Sequence, residues 1–509
     1  MTHPALNLET LTIASISKGM ADGTFTAEAL ARASLDQVAK LNGTYNAIIL
    51  ENPEALETAR QIDKRRAAGE ALGPLAGVPV VVKDPMDMKG FPTTAGWHLL
   101  YSKTGGVDLM PETDSPVVAR MRAADAVILG KTNVPVLSHT GSHASDSWAG
   151  PTINVVIEDR MPGGSSAGTA SAVACTMCVV GLAEETGGSI QNPASAHGLV
   201  GIKPTIGLVP NAGVVPLSSN RDVVGPIART VADAAICLDV LAGWSAEDPK
   251  TLASVGKIPA GGFGSKISRD ALKGKRLGLY GPGWRPDQLS ADTSTLYDRA
   301  KKELSDAGAI LIEDPFAGTG FAELREPTPP TPHFDGRGLE SIAWDVDCYL
   351  KRLGPSAAIK SWAEFVDVVK SEDPFSPGGV LSFLPSLADF RTAMENPTAP
   401  PELPEFMALK ATYLRLLAEV FEAHSLDGLV YPQMFEELPG LHSGKPILET
   451  TVGELNIAGI PGVTVPAGYY LSGAPFELIF LGLQWSEAEL IAMAYAYEQA
   501  TLHRKPAVG

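Results

Sequence analysis

The chain has 509 residues, 45% of them hydrophobic and 19% charged, and carries a formal charge of −18. That length supplies a large apolar core, organised as one elaborated domain or as two. The acidic balance argues against phosphate backbones and anionic membrane surfaces, so nucleic acid and membrane are set aside as partners.

Residues 8–70 read as helices. LETLTIASISKGM has apolar residues at helical spacing. Thr26 caps the next helix, with Glu28 in its first turn, and EALETARQIDKRRAAGE forms a charged amphipathic helix. The N-terminus has neither a basic start nor a long apolar stretch, so it is not read as a secretory signal and a cytoplasmic location is expected. PLAGVPVVVKD (74–84) is β-branched and bounded by Gly and Pro, the pattern of a strand buried on both faces. Strand and helix patterns then alternate. SPVVARMRAAD (115–125) is a helix, AVILGKTN (126–133) a strand, 166–182 a buried helix and TVADAAICLDVLAG (230–243) another helix. LKGKRLGLYGP (272–282) contains a strand, TLYDRAKKELSDAG (295–308) a helix and AILIEDP (309–315) a strand. The alternation predicts an α/β sheet with helices on its faces.

Residues 326–405 break the alternation. The Pro-rich stretches PTPPTPHFDG, SEDPFSPGG and NPTAPPELPE surround two helical patterns, SIAWDVDCYLKRLG and SWAEFVDVVK. The segment reads as a mainly helical, cap-like insertion. It contains Phe334, Trp344, Tyr349, Trp362, Phe365, Phe375 and Phe383. Loops of this length in compact enzymes are usually lids or binding walls, and a surface subdomain away from the site is the equal alternative. The core pattern returns with a helix over 405–424, strands at DGLVYP, GIPGVTVPAGY and LIFLGL, and the closing helix SEAELIAMAYAYEQAT. The expected organisation is one domain over 1–509: a helical part (1–70), a core (71–325), the insertion (326–405) and a return to the core (406–509).

Four cysteines, Cys175, Cys178, Cys237 and Cys348, make no disulfide framework and point to a reducing compartment. Cys175 and Cys178 have redox or zinc spacing, but they lie in an Ala/Val-rich run with no second pair and no nearby His. Buried packing is the reading, with no metal and no cofactor expected.

Three stretches carry chemistry. EETGGSIQNP (184–193) places Ser189 after two glycines, where the N–H groups of Thr186, Gly187, Gly188 and Ser189 can converge on a developing oxyanion. A tight turn with a solvated serine is the plain alternative, and the G-x-S-x-G template fails because position 191 is Gln191. MPGGSSAGTASAVA (161–174) puts Ser165 and Ser166 at the start of a small-residue helix, as caps or as site residues. Lys83 closes the apolar strand GVPVVVKD. Burial there disfavours its charged form and makes it a possible base; a Lys83–Asp84 surface pair is the alternative.

Together these stretches resemble the amidase signature family, serine hydrolases with a Ser–cis-Ser–Lys triad. The resemblance rests on GGSSAG…EETGGSIQNPASAHGLVGIKP, with its two signature serines 24 positions apart, on LAGVPVVVKDPMDMKGFPTTAG, on RMRAADAVILGKTNVPVLS and on LNIAGIPGVTVPAGY. It implies the family fold, a large mixed sheet covered by helices on both faces. It also implies Ser189 as nucleophile, Ser165 after a cis bond as the middle of the relay and Lys83 as the base. Thr186, Gly187, Gly188 and Ser189 become the oxyanion hole. Ser166 steadies the relay and Ser138 lines the substrate channel. Two departures stand out, Glu185 where most members carry Asp and Gln191 where most carry Arg. The neutral Gln191 weakens analogies to members with charged substrates. His139 and His143 follow Ser138 and are either substrate contacts or loop residues.

The leading expectation is hydrolysis of a neutral carboxamide, aryl amide or carbamate, with esters also in range, by a self-sufficient monomer or homodimer. The relatives it points to are aryl acylamidases and urethane hydrolases. A glutamine-hydrolysing component of an amidotransferase is the alternative, and would require a partner chain. An inactive scaffold is a third, opposed by the joint presence of Lys83, Ser165 and Ser189.

Overall fold

The computed structural model describes residues 6–325, 335–387 and 390–507. Eleven strands form one sheet: β1 (Ile48–Glu51), β2 (Pro79–Lys83), β3 (Val127–Thr132), β4 (Val180–Glu185), β5 (Val200–Lys203), β6 (Val223–Ala228), β7 (Arg276–Leu279), β8 (Ile310–Ile312), β9 (Gly428–Pro432), β10 (Gly462–Tyr469) and β11 (Pro475–Leu481). Their spatial order is β1-β3-β2-β4-β6-β5-β10-β11-β9-β7-β8. The sheet is mixed. β2 runs parallel to β3 and β4, and β7 to β8 and β9, while the central pairs β4/β6, β6/β5, β5/β10 and β10/β11 are antiparallel.

Every residue of β2 to β6, β9 and β11 is buried. A strand buried along its whole length has both faces covered, which is why these segments read as continuous Val/Ile/Leu runs rather than alternating ones. Helices supply the cover. The Ala167–Ala174 helix packs on β2, β3 and β4, and the Val231–Leu241 helix on β4, β5 and β6. Thr26 caps the Ala27–Tyr45 helix by accepting a hydrogen bond from Ala29 N, as its position in the sequence predicts.

Two expectations about local structure are corrected. Residues 8–70 are not wholly helical, because Ile48–Glu51 forms β1 against β3. The four-residue edge strand is too short to carry a periodicity of its own. The run 166–182 is not one helix. The helix stops at Ala174, Thr176 turns the chain at φ 58°, and Val180–Glu185 becomes β4. An apolar run of small residues leaves helix and strand ambiguous, and here pairing of 180–185 with β2 and β6 decides.

The insertion carries the helices Ile342–Arg352 and Trp362–Val369. It builds a core of its own, in which Trp362, Phe365, Leu381 and Leu384 pack with Trp97, Leu100 and Leu137 of the main body. The Pro-rich stretch at 327–334, with Phe334, lies outside the described residues.

Candidate active site

The site forms where parallel strands end together. In β2 and β4, Val82 lies level with Leu182, so the strands deliver Lys83 and Glu184 to one end of the sheet. Beyond β4 the chain turns through Thr186–Ser189, with Gly188 at φ 89°, and enters the Gln191–Ala196 helix. The Ala167–Ala174 helix packs on β2 and β4 and brings Ser165 and Ser166 to the same end. The Gly164–Ser165 peptide is cis.

Lys83 is fully buried. Its Nζ donates to Ser165 Oγ at 2.6 Å, to Glu184 O at 3.1 Å and to Glu184 Oε1 at 2.6 Å. The surface pair with Asp84 weighed from sequence does not form. Asp84 instead accepts from Thr94 N and Thr94 Oγ1 and faces Lys131 at 3.5 Å. Burial pushes the Lys83 ammonium below the ordinary lysine range, and the charge of Glu184 opposes that shift. Lys131 and Lys203 are equally buried, but Lys131 points to Pro92 O and Thr93 Oγ1 and Lys203 to Ile460 O. Of the three, Lys83 alone donates to a serine hydroxyl.

Ser166 Oγ donates to Ser189 O at 2.5 Å and to Glu184 O at 3.3 Å, which ties the serine loop to the nucleophile candidate's backbone. Ser189 is 4% exposed and lines a cavity of about 740 Å³. Its hydroxyl is bonded to no other described residue. Thr186, Gly187 and Ser138 line the same cavity. Ser138 Oγ is buried there without a hydrogen-bond partner among the described residues. His139 lines the cavity too, its Nδ1 held near Val136 O, whereas His143 accepts from Ser145 N and is not on the wall.

The two departures from the family pattern turn out to be partners. Glu185 accepts from Ile190 N at 2.8 Å, from Gln191 N at 3.2 Å, from Gln191 Nε2 and from Asn456 Nδ2 at 2.8 Å. A longer carboxylate and a neutral amide at position 191 thus satisfy each other beneath the serine loop, and tie it to the C-terminal LNIAG stretch. Gln191 does not line the cavity, so it does not set the cavity's charge. Arg221, Arg285 and Arg337 line it, with Glu449 and Glu454. No sequence pattern singles out any of these five, nor Asp222, whose carboxylate accepts from Thr186 Oγ1, Leu217 N and Ser218 N. Burial, with the charge of Glu184 adding to it, pushes Asp222 up to about 7. Charged residues after a turn signal, as in SSNRD, are the one available hint.

The insertion reaches the cavity through Gly336, Arg337, Leu339 and Phe383. Of its aromatic residues inside the described segments, only Phe383 is on the wall. Trp362, Phe365 and Phe375 serve the insertion's own core, Tyr349 donates to Asp87, and Trp344 lines a different cavity.

A family model described as Amidase matches residues 29–317, more than half of the chain. This chain belongs to the amidase family. A probable amidase of Arabidopsis thaliana is 32% identical across 98% of this chain and 92% of its own length. One component chain of the glutamyl-tRNA(Gln) amidotransferase of Thermosynechococcus vestitus is 32% identical across 94% of this chain and 95% of its own length. The native peptide amidase of Stenotrophomonas maltophilia superposes with a TM-score of 0.81 at 30% identity, over 99% of each chain. The amidase fold and an amide-hydrolysing activity follow from this membership. Cys175 and Cys178 are buried, and burial pushes both thiols up, that of Cys178 to about 12. Among the described residues, no group of three or more His, Cys, Asp and Glu side chains is placed to hold a metal ion. No helix among them is long and apolar enough to cross a membrane.

Proposed function

We propose that this amidase cleaves the C–N bond of small amides through an acyl-enzyme on Ser189, with Ser165 and Lys83 as its proton relay. The observation that carries the reading is the buried 2.6 Å contact between Lys83 Nζ and Ser165 Oγ, beside a glycine turn that places Ser189 on the wall of a polar cavity of about 740 Å³. Ser189 Oγ attacks the amide carbonyl and passes its proton to Ser165 Oγ, whose own proton moves to neutral Lys83. The C–O bond forms as the carbonyl π electrons move to oxygen, where the N–H groups of the 186–189 turn receive the charge. The relay then protonates the leaving nitrogen as the C–N bond breaks. Water, deprotonated along the same path, attacks the acyl carbon, and the ester bond to Ser189 Oγ breaks to release the acid as the relay returns the proton to Ser189 Oγ. Hydrogen bonds of this kind tighten on substrate binding, so the free arrangement of the two serines is compatible with the relay.

Aryl amides, carbamates and esters share the same acyl chemistry and stand as the substrate panel. Glutamine hydrolysis within an amidotransferase complex is the second reading, supported by the likeness to the amidotransferase chain. It predicts hydrolysis only with a partner chain, whereas the first predicts turnover by the purified protein alone. The test of the mechanism is Ser189→Ala. It should abolish turnover with the melting temperature preserved, and a fluorophosphonate should label Ser189 in the parent. Label on another serine, or residual full activity, overturns the assignment.

A further inference from the structure

Two of the guanidiniums that line the cavity in front of Ser189 have no ion-pair partner among the described residues. Arg285 is engaged: Nε and Nη2 donate to the Glu454 carboxylate and Nη1 to Glu449 O at 2.6 Å. Arg221 is different. It is 6% exposed, its Nε is buried without an acceptor, and its guanidinium makes no hydrogen bond or ion pair with any described residue. A methyl group built on Gly187 would lie 3.2 Å from Arg221 Nη2, so this guanidinium stands against the glycine turn that carries Ser189. Arg337, exposed at the cavity wall with its guanidinium 5.1 Å from the centre of the Phe383 ring, also lacks an ion pair among the described residues.

The acids around them are committed elsewhere. Asp222 accepts from Thr186, Leu217 and Ser218, Asp335 from the backbone of Arg337 and Glu340, and Glu449 from Asn192 Nδ2. Burial, and then the charge of Arg337, pushes Arg221 down to about 10, against the pull of Asp222, Glu185 and Asp335. It stays a cation at neutral pH. A guanidinium offers five N–H donors in a rigid plane and cannot discharge itself by losing a proton. Buried donors are normally matched, and a carboxylate matches this fork with two parallel bonds.

We propose that Arg221, with Arg337 beside it, forms a carboxylate-binding subsite, and that the substrate is an amide bearing a carboxylate a short distance from the scissile carbonyl. A carboxylate matches the fork of the buried Arg221 guanidinium with two parallel bonds, while Arg337 stands at the exposed wall. The inference rests on the proposed hydrolysis at Ser189. It replaces the neutral substrate expected from Gln191 by one whose charge Arg221 recognises.

Matched anilides test it: 4-anilino-4-oxobutanoate against butyranilide, and the five-carbon pair against each other. The parent enzyme should favour the carboxylate member, with KM for that member rising with salt. Arg221→Leu should lower kcat/KM for the carboxylate member by about 100-fold more than for the neutral one, the range for removing a buried partner of a charged group. Arg221→Lys should recover part of the selectivity, and Arg337→Gln should raise KM for the carboxylate member more than for the neutral one. Glutarate, but not glutaramide, should slow fluorophosphonate labelling of Ser189. Equal or greater parent activity on the neutral members overturns the subsite while leaving amide hydrolysis standing. So does an Arg221→Leu variant that slows both members alike. If that variant fails to fold, the parent pair and Arg337→Gln decide. Failure of every anilide and primary amide, with Ser189 still labelled, strikes the hydrolysis reading itself and the subsite with it.

Discussion

Glu184→Gln is the most informative single change in the relay. The Glu184 carboxylate lies 2.6 Å from Lys83 Nζ, with both side chains almost wholly buried. Two unit charges about 4 Å apart attract by about 4 kcal/mol at an effective dielectric of about 20, and that attraction favours the ammonium form of Lys83. The proposed base is the neutral amine. Burial lowers the pKa of Lys83 and Glu184 raises it, so removing the negative charge deepens the lowering. Glutamine keeps a carbonyl acceptor for Nζ–H and nearly the same volume, and it restores part of the interaction, so a net loss of about 1.4–3 kcal/mol is expected. Because each 1.36 kcal/mol is a tenfold change, kcat/KM on the acidic limb should rise by about 10- to 100-fold. The sign is fixed: activity appears as pH rises through the Lys83 pKa, and in the variant that limb moves to lower pH. The assay is kcat/KM against pH for parent and variant, with Ser189 labelling by a neutral sulfonyl fluoride as a second readout. A limb displaced to higher pH, or unmoved, refutes the electrostatic argument. Loss of activity at every pH, as deep as in Ser189→Ala, would make Glu184 itself the proton acceptor.

Lys83→Ala and Ser165→Ala should each remove most turnover, and the double variant should be little worse than either, because both interrupt one relay. Kinetics of the three proteins check this, and additive losses would separate the two residues. In the insertion, Trp362→Ala should lower stability by about 3–5 kcal/mol in a denaturant melt, the usual cost of emptying a core aromatic. Phe383→Ala should instead change relative rates across anilides, esters and carbamates with a smaller loss of stability. Unchanged relative rates would remove Phe383, and with it the insertion's aromatic wall, from substrate recognition.

The sequence by itself determined the α/β class and most strands and helices, and through the family resemblance it nominated the three residues of the proposed relay. Local chemistry made the elements legible. β2 announces itself as a β-branched run between Gly and Pro and Thr26 as a cap, whereas the signature serines stand out only through the resemblance to the amidase signature family. Tertiary structure alone decided what lies opposite each group. Whether 180–185 is helix or strand depended on the vacancy between β2 and β6, which no local pattern contains. Lys83 meets Glu184 because β2 and β4 run parallel and end level, although the two residues are 101 positions apart in sequence. Gln191 looks from sequence like a change in the pocket's charge, yet it turns away to satisfy Glu185. The pocket's charge comes from arginines and glutamates spread along the chain, Arg221, Arg285, Arg337, Glu449 and Glu454, and whether a buried guanidinium such as that of Arg221 has a partner among the described residues is a property of the fold.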